Sequence, residues 1–331
     1  MKLLIAYDGS DSADSALDDL THAGLPETGE ALVVTVSEIW LPPPPPSAAE
    51  IVEMAAHARG PLGLERKYMA ASQVVLEADK LAARAAERFQ ANFPQWKVNH
   101  ESVWGSPTWE LFSKAEEFKA DLILVGSHGR SAMGRFFLGS ISQWLLNEAR
   151  CSVRTARGKL DEPDFPVRLI VGIDGSDNAN LALEQVAARH WPEKSEVHVV
   201  VADQPLEPTL AGELIPMVGS IVDECNREET AHAQQLAEKS TQFLKAKGLR
   251  AEGVVKFGDP KRVLVEYAEE WRADCIFLGA TGLSNRLERF LLGSVAGAVA
   301  ARAHCSVEIV RQRNFARNNN GNGNRNQERR N

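Results

Sequence analysis

Cysteine is scarce in this chain of 331 residues: Cys151, Cys225, Cys275 and Cys305 stand alone, with no Cys-x2-Cys pair and no zinc spacing among them. That excludes a disulfide scaffold or a structural zinc fold, and it suits buried thiols in a reducing cytoplasm. Long apolar runs are missing as well, and nothing approaches the ~18 residues of a membrane span. The opening Lys2-Leu3-Leu4-Ile5-Ala6 is too short for a signal-peptide core and meets Asp8 at once, so a first buried strand is expected there. Positive charge is in deficit. A net charge of −8 disfavours broad binding to nucleic acid or to an anionic membrane. Catalytic signatures are absent too. Without a Gly-x4-Gly-Lys-Ser/Thr loop, strong Mg-dependent ATPase chemistry is disfavoured. Without Gly-x-Gly-x-x-Gly after a first strand or a Gly-x-Ser-x-Gly elbow, so are an NAD-binding Rossmann domain and an esterase.

What the chain does have is a repeat. Asp8-Gly9-Ser10 returns as Asp174-Gly175-Ser176, and Gly126-Ser127-His128-Gly129 returns as Gly279-Ala280-Thr281-Gly282. Gly139-Ser140 returns as Gly293-Ser294, and Trp104-Gly105-Ser106-Pro107 as Phe257-Gly258-Asp259-Pro260. Two copies of one domain are expected, residues 1–157 and 167–312, joined by a polar linker at 158–166. A proline-rich insertion at 42–63 reads as a stiff surface spacer. The tail at 313–331, dominated by Asn, Gly and Arg, is expected to be disordered.

Within each copy, strands and helices alternate. Short apolar segments at 3–7, 32–36, 98–103, 122–125 and 152–155 read as strands. Helical patterns fall at 11–20, 68–92, 108–118 and 141–148. The second copy follows with strands at 169–173, 197–201, 254–257, 275–278 and 306–310, and helices at 178–188 and 223–247. Strands apolar throughout, alternating with helices, predict an α/β fold with parallel sheets covered on both faces.

The glycine pairs sit between an apolar strand and a helix, where backbone can approach a phosphate. Gly139-Ser140 opens a helix whose free N–H groups and dipole can face an anion. Asp8 ends the first strand, at the carboxyl edge where open α/β sheets bind ligands, and can accept hydrogen bonds from ribose hydroxyls. The alternative for Asp8 and Asp174 is a simple helix N-cap, and one residue can do both. His128 is a candidate acid or base, or a loop histidine without chemistry. Arg130 and Arg135 are candidate phosphate partners.

The spacing Gly-x2-Gly-x9-Gly-Ser, with strand-end Asp-Gly-Ser and the Gly-x-Pro turn, resembles the universal stress protein family in its tandem form. The resemblance covers nearly the whole chain outside the proline insertion and the tail. It implies two open parallel five-stranded sheets, order 3-2-1-4-5, with helices on both faces. It implies ATP or another adenine nucleotide, with or without Mg, as ligand. On matching positions Asp8 would hold ribose or adenine, with Ala6 beside the base and Val36 offering main-chain groups to it. Val125 and Gly126 would border the nucleotide, while Gly129, Gly139, Ser140 and Ile141 cradle the phosphates. The corresponding second set is Asp174, Val201, Leu278, Gly279, Gly282, Gly293, Ser294 and Val295. The second copy has ten residues between Gly282 and Gly293 where the first has nine, an extra residue within 283–288. The resemblance also implies pairing of the copies along 152–155 and 306–310, with a homodimer of whole chains left open. The expected role is a stress-response binding module rather than an enzyme. The alternatives are an interaction scaffold with degenerate sites, or a slow ATP hydrolase or phosphotransferase acting on Ser140.

Overall fold

The computed structural model describes residues 1–38, 62–127, 138–157, 166–206, 216–282 and 292–312. The proline run, nearly all of the linker, the tail and the residue added in the second glycine loop lie outside them.

The first half contributes strands β1 (Lys2–Ala6), β2 (Glu30–Ser37), β3 (Lys97–Trp104), β4 (Leu122–Gly126) and β5 (Ser152–Ala156). Its helices are α1 (Asp11–Asp19), α2 (Leu62–Asn92), α3 (Pro107–Phe118) and α4 (Ser140–Glu148). The second half repeats the order with β6 (Arg168–Gly172), β7 (Glu196–Asp203), β8 (Arg250–Phe257), β9 (Cys275–Gly279) and β10 (Ser306–Val310). Its helices are α5 (Asp177–Ala188), α6 (Pro216–Ala246), α7 (Pro260–Trp271) and α8 (Ser294–Arg302).

Each half arranges its strands 3-2-1-4-5, all parallel. The two sets form one ten-stranded sheet, β3-β2-β1-β4-β5-β10-β9-β6-β7-β8, in which β5 and β10 run antiparallel. Central strands are apolar on both faces because helices cover both. Leu3, Ile5 and Leu124 pack beneath α1 and α2 on one face, and Leu169, Val171 and Phe277 pack beneath α5 and α6 in the second half. On the opposite face one core runs unbroken across the seam, from Leu4 and Ile123 through Val153 and Val307 to Ile170.

Local signals set the helix ends. Pro107 and Pro260 open α3 and α7, where a missing N–H costs nothing. Lys119 and Arg272 close them in the left-handed conformation, at φ 60° and 56°.

Three expectations need correction. The long helices start earlier than residues 68 and 223. The first turns of α6 leave Met217 and Ile221 exposed, so no apolar stripe marks them in sequence. Strand β8 starts at Arg250, not at residue 254. It lies at the sheet's edge, where Arg250 and Glu252 are exposed and Gly253 lies close against Ala237 and Thr241 of α6, without breaking the ladder. Cys151, Cys275 and Cys305 are buried, but Cys225 on α6 is exposed.

Candidate functional site

The two Asp-Gly-Ser turns are built alike. Asp8 Oδ1 accepts the Ser10 N–H at 3.0 Å, and Ser10 Oγ accepts the Ala13 N–H at 3.2 Å. In the second copy Asp174 Oδ1 accepts from Ser176 N at 3.0 Å, and Ser176 Oγ from Ala179 N at 3.2 Å. The serines are therefore the N-caps of α1 and α5, and each aspartate shapes the turn that delivers its serine. Gly9 and Gly175 sit at φ +74° and +82°, a region an L side chain resists.

Asp8 opens into a cavity of about 660 Å³ at the carboxyl ends of β1, β2 and β4. It brings together Asp8, Val36, Val125, Gly126, Gly139, Ser140 and Ile141, with Ala6 among the lining. Gly129, His128, Arg130 and Arg135 lie outside the described residues. Gly139 is the N-cap of α4 and, having no side chain, makes no side-chain cap, while Ser140 is the first helical residue. The Gly139 N–H donates to Ser127 O at 2.7 Å, and Ser142 Oγ donates to Gly126 O at 2.7 Å, which ties the helix start to the end of β4.

Helix α2 closes the outer side of this cavity with Gln73, Val74, Glu77, Ala78 and Leu81. Tyr7 also lines it, donating to Asp14 Oδ1 at 2.8 Å. Partial burial, the Asp14 hydrogen bond and its negative charge push the Tyr7 phenol up to about 12, so it stays protonated. Neither Tyr7 nor the α2 residues were singled out from sequence. The aromatic residue before Asp8, where the second copy has Ile173, is the signal that marks Tyr7.

The second cavity, about 290 Å³, lies in the equivalent place and brings together Asp174, Leu278, Gly279, Gly282, Gly293, Ser294 and Val295. Val201 is not part of it. The strand register pairs Ala6 with Val34 and Gly172 with Val200, so Ala202 is the counterpart of Val36. Ala202 lines the cavity, while Val201 packs into the core on the other face. A shift of one residue along a strand exchanges its faces.

Two features narrow the second cavity. Leu278 stands where the first copy has Val125, and its Cδ2 lies 2.5 Å from the place of a Cβ on Gly172. The glycine segment also folds onto the carboxylate. A Cβ at Gly282 would sit 2.4 Å from Asp174 Oδ2, and Asn178 Nδ2 donates to Thr281 Oγ1.

The structure gives Gly126 and Gly279 a further reason for being glycine. Their missing Cβ atoms would meet Ser12 in α1 (2.7 Å to Oγ) and the Asn178 backbone in α5 (2.4 Å). Close strand–helix packing requires them small, whatever enters the cavity. Among the described residues no group of three or more His, Cys, Asp or Glu could hold a metal ion, and no helix is long and apolar enough to cross a membrane.

Comparison with known proteins agrees with this fold. The universal stress protein family model matches residues 1–157 and again 167–311. A universal stress protein of Mycobacterium tuberculosis is 30% identical over 258 residues, covering 72% of this chain and 76% of that one. One from Synechocystis is 31% identical over 149 residues, 43% of this chain and 96% of its own length. The crystal structure of a universal stress protein from Archaeoglobus fulgidus superposes with a TM-score of 0.58 at 20% identity, over 95% of this chain and 98% of that one. At that identity the likeness concerns the fold. With the family model matched twice over most of its length, this chain belongs to the universal stress protein family.

Proposed function

We propose that the chain is a stress-response module that binds ATP or another adenine nucleotide in its first cavity. One observation carries the reading: a single sheet edge joins a strand-end carboxylate, Asp8, to a helix start whose cap, Gly139, offers no side chain. The cavity between them, about 660 Å³, lies within the roughly 300–1,000 Å³ range of small-molecule sites. In this reading Asp8 accepts hydrogen bonds from ribose hydroxyls, and the main chain near Val36 meets the base. The α4 N-terminus, with Ser140, faces the phosphates. A Mg ion would arrive with the phosphates rather than occupy a protein cage.

The second cavity, about 290 Å³, falls just below that range, so we assign the principal site to the first copy. The second would accept nucleotide only after residues 281–282 move off Asp174. We take residues 1–157 and 167–312 as the two domains, paired through β5 and β10 within one chain, acting in the cytoplasm by binding rather than catalysis.

Mass spectrometry of material released from purified, denatured protein tests the proposal. About one nucleotide per chain is expected. Asp8→Ala should lose it and Asp174→Ala should retain it. Finding no nucleotide, together with no thermal shift on added ATP, would sink the claim.

A further inference from the structure

The strands that meet at the seam carry an inverted charge. Cys151-Ser152-Val153-Arg154 and Cys305-Ser306-Val307-Glu308 are equivalent in the two copies, so Arg154 and Glu308 hold the same position in each. They also face one another across the antiparallel ladder. Both are buried, at 1% and 0% exposure.

Around them lies a neutral buried quartet. Arg154 Nε donates to Asp19 Oδ2 at 2.6 Å, and Arg154 Nη1 to Glu308 Oε2 at 3.3 Å and to Cys275 Sγ at 3.2 Å. Arg189 closes on Glu308 from the second copy's side, with Nη1 2.9 Å from Oε2. Ser306 Oγ crosses the seam to Asp19 Oδ1 at 2.7 Å. Burial disfavours the Arg154 cation, but Asp19 and Glu308 outweigh it and hold the group charged.

Some of the other seam contacts come in matching pairs, although Thr155 Oγ1 to Val307 O and Arg189 Nη1 to Ala23 O have no counterpart. The Arg157 N–H donates to Ser306 Oγ at 3.1 Å, and the Arg311 N–H to Ser152 Oγ at 3.2 Å. The two guanidiniums also reach the end of the opposite copy's last helix, Arg157 to Ala303 O at 2.6 Å and Arg311 to Leu146 O, though these carbonyls are not equivalent positions. A contact that recurs under exchange of the copies would form equally well between two first copies or two second copies. Such contacts favour pairing without choosing the partner. Arg154 opposite Glu308 does choose: a like pairing keeps each copy's own counter-ion, Asp19 or Arg189, but replaces the attractive cross-ladder contact by Arg against Arg or Glu against Glu.

We propose that this single inverted pair makes the β5 and β10 edges complementary to each other and not to themselves, so that each copy pairs with its unlike neighbour rather than with the like copy of another chain. The interaction surface is the β5 edge, and the partner it fits is an edge carrying a buried carboxylate opposite Arg154.

A charge-exchange cycle in the full-length chain tests this. Asp19→Asn and Arg189→Gln first remove the flanking charges. On that background Arg154→Glu, Glu308→Arg and the two together are compared by denaturant unfolding and by amide exchange at the β5 and β10 ladder. Each single reversal should lower protection at the seam by about a hundredfold, since buried like-charge juxtaposition costs several kcal/mol. The double reversal should restore most of it. If the singles fail to fold while the double folds and is protected, the proposal also stands. A double variant no better protected than either single, or single reversals as protected as the background, would overturn it.

Discussion

Replacing Gly279 by alanine isolates the packing role of the glycine that ends β9. Gly279 is not among the glycines with positive φ, so alanine meets no backbone strain there. The clash is the whole effect. Its Cβ would sit 2.4 Å from the Asn178 carbonyl carbon, 2.6 Å from the Asn178 oxygen and 2.7 Å from the Ala179 nitrogen. Those atoms belong to the first turn of α5, whose start is pinned by the Ser176 cap, so no side chain can turn aside. Reaching an ordinary contact of roughly 3.5 Å requires the helix to shift by about 1 Å. Overpacking of this kind costs about 2–3 kcal/mol, and at about 2–4 °C per kcal/mol the melting temperature should fall by about 4–12 °C. Gly126→Ala should cost less, since its nearest neighbour is the Ser12 hydroxyl, with Ser12 backbone at 3.0 Å. Gly248→Ala is the control for strain alone, at φ +87° with nothing within 4 Å. Unfolding by urea and by heat would read all three. If Gly279→Ala stayed within about 0.5 kcal/mol of wild type, helix approach would not be what excludes a side chain there.

Two further outcomes are expected. Ser10→Ala and Ser176→Ala should each lower stability by about 1 kcal/mol through loss of the caps on α1 and α5, checked by denaturant melts; no loss would discount the capping bonds. Thiol titration of the native protein at pH 8 should show one fast-reacting group, Cys225, and four after denaturation. Burial pushes the Cys305 thiol up to about 12 and raises Cys275 well above the usual range.

Much of this molecule is written locally. Short apolar runs ending at Asp8, Gly126, Asp174 and Gly279 mark buried parallel strands, because a strand covered on both faces must be apolar at every position. The doubled turns mark two equal units, and the Asp-Gly-Ser triplets carry their own capping geometry. Edges and helix starts were harder to read, since Arg250–Phe257 and the first turns of α6 bury too little to impose a pattern.

By itself, then, the amino-acid order determined the repeat, the alternation of strands and helices within each half and most of the residues gathered at each carboxyl edge, since these follow from hydrophobic period and turn chemistry. Tertiary structure alone decided the rest. Sheet register put Ala202 rather than Val201 in the second cavity, and folding set Leu278 against Gly172 and Gly282 against Asp174. The charges of Asp19, Arg154, Arg189 and Glu308 are far apart in sequence and ordinary on any one element. They acquire meaning only where two strand edges meet and exclude water, because a buried charge is tolerated only beside its opposite.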